Sequence, residues 1–154
     1  MSPFTHSFRA RWVDMDFNQH MRNAAFLGCA EETRMLFLES RGWTMADFQA
    51  RQLGPVVLED KLTYQKELQL LEPFRVDLRL AAATEDLGRI KLRSRFFRES
   101  DQALCASVES VALWFDLAQR KPVLPPEALS QAWSSLERTE DFEAWPARAK
   151  SPTP

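Results

Sequence analysis

The chain has 154 residues, of which 45% are hydrophobic and 27% charged, and 20 Lys+Arg against 22 Asp+Glu leave a formal net charge of −2. That is room for one domain burying roughly 70% of the surface its unfolded chain would expose, with no basic field to favour nucleic acid. No run of about 18 apolar residues is present to span a membrane, and the two cysteines and two histidines are scattered through the chain with no cluster that suggests a zinc site.

In chain order, Met1 to His6 has neither a basic nor an apolar stretch of the kind that directs export, so a cytoplasmic location without disulfides is expected. Phe4 to Val13 alternates, with Phe4, His6, Phe8, Ala10 and Trp12 on one parity, which predicts a half-buried strand. The polar stretch Asp14 to Arg22 fits neither period and reads as a loop. Asn23 is a good N-cap for a helix over Ala24 to Arg41. Phe26, Cys29, Ala30, Thr33 and Phe37 share one stripe of it, while Glu31, Glu32 and Glu39 lie largely opposite. The small residues in mid-stripe would let the helix axis approach a sheet closely, and Gly42 marks the stop. Thr44 to Leu53 reads as a second short helix capped by Thr44 and ended by Gly54-Pro55.

Strand patterns then follow over Val56 to Lys66, Phe74 to Ala82, Arg89 to Phe96 and Ala103 to Asp116. Short polar links, Glu85-Asp86-Leu87-Gly88 and Glu99-Ser100-Asp101-Gln102, suit antiparallel hairpins, so the four are expected to form a meander. Pro125-Pro126 opens a last helix to about Arg138, and Thr139 to Pro154 has the composition of a loosely docked or disordered tail. The division expected is one domain over 1–138 and a tail over 139–154. Strands after one long helix predict an α+β domain with an antiparallel sheet and the helix on one face. Cys29 and Cys105 both sit on apolar parities and should be buried, inert thiols. Eleven Phe and five Trp are rich for this length and hint at a subunit interface.

The densest polar cluster is the strand-to-helix junction from Asp14 to Asn23. The first N–H groups of a helix lack intrahelical partners and the helix dipole is positive there, so such junctions attract anions. A carboxylate beside that terminus, with a carbonyl between the two, would serve acyl transfer. A well-placed oxyanion donor contributes about 3–4 kcal/mol to the transition state, and a general base about 10²–10⁴-fold in rate. The competing reading is that Asp14 and Asp16 only form turns and caps.

The run Asp16-Phe17-Asn18-Gln19-His20-Met21-Arg22-Asn23-Ala24-Ala25-Phe26-Leu27 resembles the hotdog-fold acyl-CoA thioesterases, in the branch with 4-hydroxybenzoyl-CoA thioesterase. That pattern has an Asp, a Gly or Gln and a His three and four positions on, then Asn-Asn, then an aromatic-Leu pair. Asp16, Gln19, His20, Asn23, Phe26 and Leu27 fall in register. The resemblance continues through Glu31-Glu32-Thr33-Arg34, Gly54-Pro55-Val56-Val57, Tyr64 and Phe115-Asp116. Arg22 departs from it, as do Lys66-Glu67 after Tyr64. The resemblance implies a long central helix wrapped by a five-stranded antiparallel sheet, in a homodimer or dimer of dimers with the active site between subunits. It implies hydrolysis of a fatty or aromatic acyl-CoA without cofactor or metal. Asp16 would be nucleophile or general base and the Asn23 N–H the oxyanion donor, with Phe26 and Val57 against the substrate. A leaving thiol with a pKa of about 8.5 departs as thiolate without a strong general acid, so no Ser–His–Asp triad is needed.

Other side chains carry weaker expectations. His20 could donate to the substrate carbonyl or order the loop, and neither ring nitrogen has an evident charged partner in the sequence. Glu31 and Glu32 lie off the buried stripe, and Glu31 can pair with Arg34. Glu59, in a strand near the expected pocket, is a reserve catalytic candidate. Arg89, Lys91, Arg93 and Arg95 share one strand face. Either they pair across strands with Asp77 and Glu109, or Arg89 and Lys91, nearest the Gly88 turn, attract the coenzyme phosphates. A non-catalytic acyl-thioester binder and a hydroxyacyl-thioester dehydratase are the alternative functions on this fold.

Overall fold

The computed structural model describes residues 2–147. Strand β1 (Phe4–Arg9) stops earlier than its alternation predicts. Ala10 leaves the ladder to exchange backbone hydrogen bonds with Leu71 and Glu72, and Trp12–Asp14 close a 3-10 turn. Trp12, inward by parity, therefore stands 80% exposed. Helix α1 (Asn23–Ser40) begins one residue before the expected start. Arg22, not Asn23, is its N-cap, because the Asp14 carbonyl holds the Arg22 N–H at 2.8 Å and keeps that residue extended. The predicted stripe is buried as drawn, with Phe26, Cys29, Ala30, Thr33 and Phe37 inward and Glu31, Glu32 and Glu39 exposed. Gly42 follows the helix at φ +86°, its N–H on the Glu39 carbonyl. Helix α2 (Met45–Arg51) is capped by Thr44, whose hydroxyl accepts the Asp47 N–H.

The sheet strands are β2 (Leu53–Tyr64), β3 (Pro73–Thr84), β4 (Arg89–Arg98) and β5 (Leu104–Asp116). Only β3, β4 and β5 form the expected meander. The order is β1-β3-β4-β5-β2, so β2 lies on the far edge, paired with β5 from Leu53↔Asp116 to Tyr64↔Ala106. The link between β2 and β3 is a crossing segment rather than a hairpin: Leu68 is buried in it, and its carbonyl accepts the Met21 N–H at 2.8 Å. A two-residue strand β6 (Lys121–Pro122) pairs with β5, and α3 (Glu127–Ser134) is shorter than predicted.

The expectation of a loose tail from Thr139 is corrected over its first part. Arg138–Trp145 is strand β7, running parallel to β3 with Leu80↔Arg138 and Thr84↔Trp145. It extends the edge of β3 beyond β1, and Thr139 is its buried residue. Residues 148–154 lie outside the described residues.

Two apolar clusters hold α1 to the concave face of the sheet. One gathers Phe37, Leu38, Trp43, Phe48, Trp114 and Trp133 around the C-terminal half of the helix. The other sets Met21, Phe26, Cys29, Phe74, Phe96 and Val108 under its N-terminal half. The second cluster anchors the junction that leads into α1. Burial pushes the Cys29 thiol up to about 12, and Cys105 also lies above its ordinary value for the same reason.

Candidate active site

The junction between β1 and α1 is pinned at both ends. On its near side Asp14 is buried, and its carboxylate accepts the Arg11 backbone N–H (3.1 Å) and both ends of the Arg11 guanidinium (3.0 and 3.1 Å). Burial pushes this carboxyl up, but the bonds from Arg11 outweigh it and leave the group below its ordinary value. On the far side Met15 and Met21 pair as an antiparallel bridge, and His20 bridges to Gln69 of the β2–β3 crossing. Between them Asp16 to His20 make a tight reversal, with the Asp16 N–H on the His20 carbonyl (2.8 Å) and Gln19 in the left-handed region at φ 63°.

Asp16 crowns that reversal. Its Oδ1 accepts the backbone N–H of Asn18 (2.8 Å) and of His20 (3.1 Å), which fixes the carboxylate on the turn. Among the described residues nothing hydrogen-bonds Oδ2. The two acids that the sequence left open are thus separated: Asp14 is a structural group, and Asp16 is exposed with one oxygen available.

Asp16 and Asn23 line one groove of about 270 Å³, together with His20, Phe26, Tyr64 and Lys66. Asn23 is the first residue of α1, so its N–H has no intrahelical acceptor. The Tyr64 hydroxyl donates to the Asn23 carbonyl oxygen at 3.2 Å and its ring packs edge-on to Phe26, clamping the first turn to the end of β2. The reading that His20 lacks a charged partner is corrected: its Nε2 lies 3.1 Å from Glu67 Oε2. Four of the sequence-derived site residues therefore converge, and Tyr64, Lys66 and Glu67 join them. Tyr64 was visible only as part of the resemblance, and Lys66 and Glu67 only as departures from it.

The remaining candidates lie elsewhere in the protomer. Glu59 is exposed on β2, five residues from Tyr64 or about 17 Å along the strand, and Val57 is farther still. Arg89 pairs with Leu113, whereas Tyr64 pairs with Ala106, so Arg89 sits about 24 Å along β5 from the groove. Arg89 and Lys91 stack over the Trp145 ring of β7 at 5.0 and 5.5 Å. Farther along the same row the cross-strand pairing holds: Arg93 bonds Glu109 (3.1 Å) and Asp141 (2.8 Å), and Arg95 bonds Asp77 (3.3 Å). The Glu31–Arg34 pair is not made. Arg34 donates to the Ser110 hydroxyl at 3.1 Å, and that hydroxyl in turn donates to Asp60. Among the described residues no group of three or more His, Cys, Asp and Glu is placed to hold a metal ion, and no helix is long and apolar enough to cross a membrane.

The sequence profile of the thioesterase-like superfamily matches residues 10–133. The chain belongs to that superfamily. Solved structures place this thioesterase-like chain on the hotdog fold. A hypothetical protein from Staphylococcus aureus, solved in complex with CoA, superposes with a TM-score of 0.80 at 23% identity, covering 99% of this chain and 96% of its own. A 1,4-dihydroxy-2-naphthoyl-CoA thioesterase from Synechocystis gives 0.79 at 15% identity, covering 88% and 98%. A gentisyl-coenzyme A thioesterase gives 0.74 at 14% identity, covering 84% and 98%. No curated protein sequence matches the chain. The superfamily match includes the Asp16 junction and α1 and ends before β7.

Proposed function

We propose that the protein hydrolyses an acyl-CoA thioester at the Asp16 groove. One observation carries this: an anchored carboxylate with an unengaged oxygen and the free first N–H of a long helix line the same groove. With the thioester carbonyl oxygen on the Asn23 N–H, the carbonyl carbon faces Asp16. Water adds to that carbon as Asp16 takes its proton, or Asp16 attacks first and water releases the mixed anhydride. In either route the tetrahedral intermediate collapses with loss of a thiolate, which needs no strong acid. The Asn23 N–H holds the developing oxyanion. His20, held by Glu67, positions the turn that carries Asp16. The superfamily match and the CoA found in a structural neighbour support the reaction class and the coenzyme.

A homodimer or dimer of dimers accords with the open edge of β2, which exposes Val57 and Leu58, and sedimentation at micromolar concentration should give at least twice the protomer mass. Val57, Glu59, Arg89 and Lys91 would then reach the groove only from a second copy. The decisive assay is thiol release from acetyl-, octanoyl- and benzoyl-CoA. Asp16→Asn should lose at least 10²-fold in kcat, because an amide neither takes the proton nor attacks well. Its Oδ1 can still accept the Asn18 and His20 amides, so the turn is kept. Saturable binding with no release from any ester would overturn the hydrolase reading, as would full activity in Asp16→Asn.

A further inference from the structure

Residues 64–69 run from the end of β2 into the crossing and are fastened to the Asp16 junction along their length. The Tyr64 hydroxyl donates to the Asn23 carbonyl (3.2 Å), and its ring meets Phe26. Glu67 holds His20 (3.1 Å), the Leu68 carbonyl accepts the Met21 N–H (2.8 Å), and Gln69 bridges to His20. The same segment is fixed to the sheet. The Gln65 and Lys66 N–H groups both donate to the carbonyl of the buried Cys105 (2.8 and 3.0 Å), and the Arg98 guanidinium donates to the Glu67 carbonyl. Arg98 is in turn held by Glu72 (3.1 Å) and Asp101 (3.0 Å). A backbone pinned at three successive residues gives the side chains of Tyr64 and Glu67 a rigid base.

Those two side chains act on different groups. Tyr64 touches Asn23, whose own N–H is the free donor at the start of α1. Glu67 touches His20, whose N–H holds Asp16 Oδ1 at 3.1 Å. Donor and carboxylate belong to separate backbone units, the first turn of α1 and the tight reversal before it, and the crossing is tied to each. Glu67 also departs from the pattern that the Asp16 run otherwise resembles, so its tether is a feature of this chain.

We propose that Tyr64 and Glu67 are positioning residues with separate tasks: Tyr64 sets the oxyanion donor through Asn23, and Glu67 sets the Asp16 carboxylate through His20. What donor and carboxylate do rests on the hydrolase reading, whereas the two tethers are properties of the fold. Acting through other groups, each residue should change kcat and leave substrate affinity as it is. One such hydrogen bond lost costs about three- to tenfold.

Three variants test it. Tyr64→Phe keeps the ring against Phe26 and loses only the hydroxyl, Glu67→Ala releases His20, and Glu67→Gln can still accept from the imidazole. On the ester cleaved fastest, kcat should fall about three- to tenfold in Tyr64→Phe and Glu67→Ala and recover in Glu67→Gln. Calorimetry with the matching thioether (S-ethyl-, S-octyl- or S-benzyl-CoA), which cannot be hydrolysed, should show unchanged affinity. The Asp16→Asn background then separates the tasks, because groups that act as a unit are not additive. There Glu67→Ala should cost nothing further, whereas Tyr64→Phe should keep its full effect. Equal losses in both backgrounds, thioether affinity lost in step with kcat, or no recovery in Glu67→Gln would each overturn the assignment. Hydrogen exchange reads the tethers without turnover: Tyr64→Phe should speed exchange over residues 23–28 alone, and Glu67→Ala over residues 16–22 alone. Exchange divided in this way with no ester cleaved would sink the hydrolase reading and leave the tethers standing. Both stretches loosened alike by either variant would end the division of tasks, whatever the turnover.

Discussion

Asp14 and Asp16 are one residue apart from being neighbours, yet their surroundings give them opposite work. Asp14 is buried against Arg11 and closes the turn that ends β1, whereas Asp16 is exposed and anchored by backbone amides through one oxygen. Asp14→Ala should therefore cost about 1.5–3 kcal/mol of stability, the range for a hydrogen bond to a buried charge. Asp16→Asn should stay within about 0.5 kcal/mol of the parent in urea unfolding while activity is lost. The sequence displayed both acids in a polar loop but could not separate them. That separation depends on a contest between strand alternation and the Arg11–Asp14 hydrogen bonds, which the turn wins and which turns Trp12 outward. The cysteines were legible, because their parity alone buried them. With the Cys29 thiol pushed up to about 12 and Cys105 also raised, neither should react with Ellman's reagent at pH 8 in the native protein. Both should react once urea unfolds the chain; fast native labelling of either would contradict their burial.

Among the elements, α1 was the most readable, since five buried residues at helical spacing fix both its existence and its inward face. Ala30, fully buried at the centre of that face, sets how near the helix lies to the sheet. Ala30→Leu should cost about 1–3 kcal/mol through overpacking, whereas the same leucine at the exposed Glu32 should cost little; chemical denaturation of the two variants makes the comparison. The pairing of β2 was not readable, because periodicity shows which face of a strand is apolar and says nothing about its neighbour. Only the crossing segment, pinned by Leu68 against Met21, carries the chain away from a hairpin. Strand β7 escaped for a different reason. Its inward residues, Thr139, Phe142 and Trp145, do not alternate, and it is held by backbone pairing to the edge of β3 and by Asp141 on Arg93. The groove itself was half legible: the Asp16-to-Phe26 run supplied one wall, while Tyr64, Lys66 and Glu67 arrive from a segment some forty residues on, through topology alone.

For the molecule as a whole, stability should depend on pH through a carboxyl remote from the site. Asp77, 4% exposed on β3, accepts the Arg95 backbone N–H at 3.1 Å and lies 3.7 Å from Arg79, which in turn reaches Glu137 at 2.7 Å. Burial pushes its carboxyl up to about 6; Arg79 and Arg75 pull it down and Glu137 pushes it further up. A carboxyl that holds its proton more tightly in the folded chain than in the unfolded one stabilises the fold where it is protonated in both. That contribution is lost as pH rises from about 4 to about 6, and the loss is on the order of 2–3 kcal/mol. Carboxylates held low, such as Asp14, Asp47, Asp86 and Asp101, act with the opposite sign and weaken the fold only as pH falls below about 4. The two families of groups therefore bracket a stability maximum near pH 4–5, lower than the neutral range common among proteins. Asp77→Asn cannot titrate yet can still accept the Arg95 amide, so its unfolding free energy should lose the decline between pH 4 and pH 6 while keeping the fall in stronger acid. Urea titrations at half-unit pH intervals read this directly, and parallel curves for parent and variant across pH 4–6 would show that Asp77 is not the group responsible.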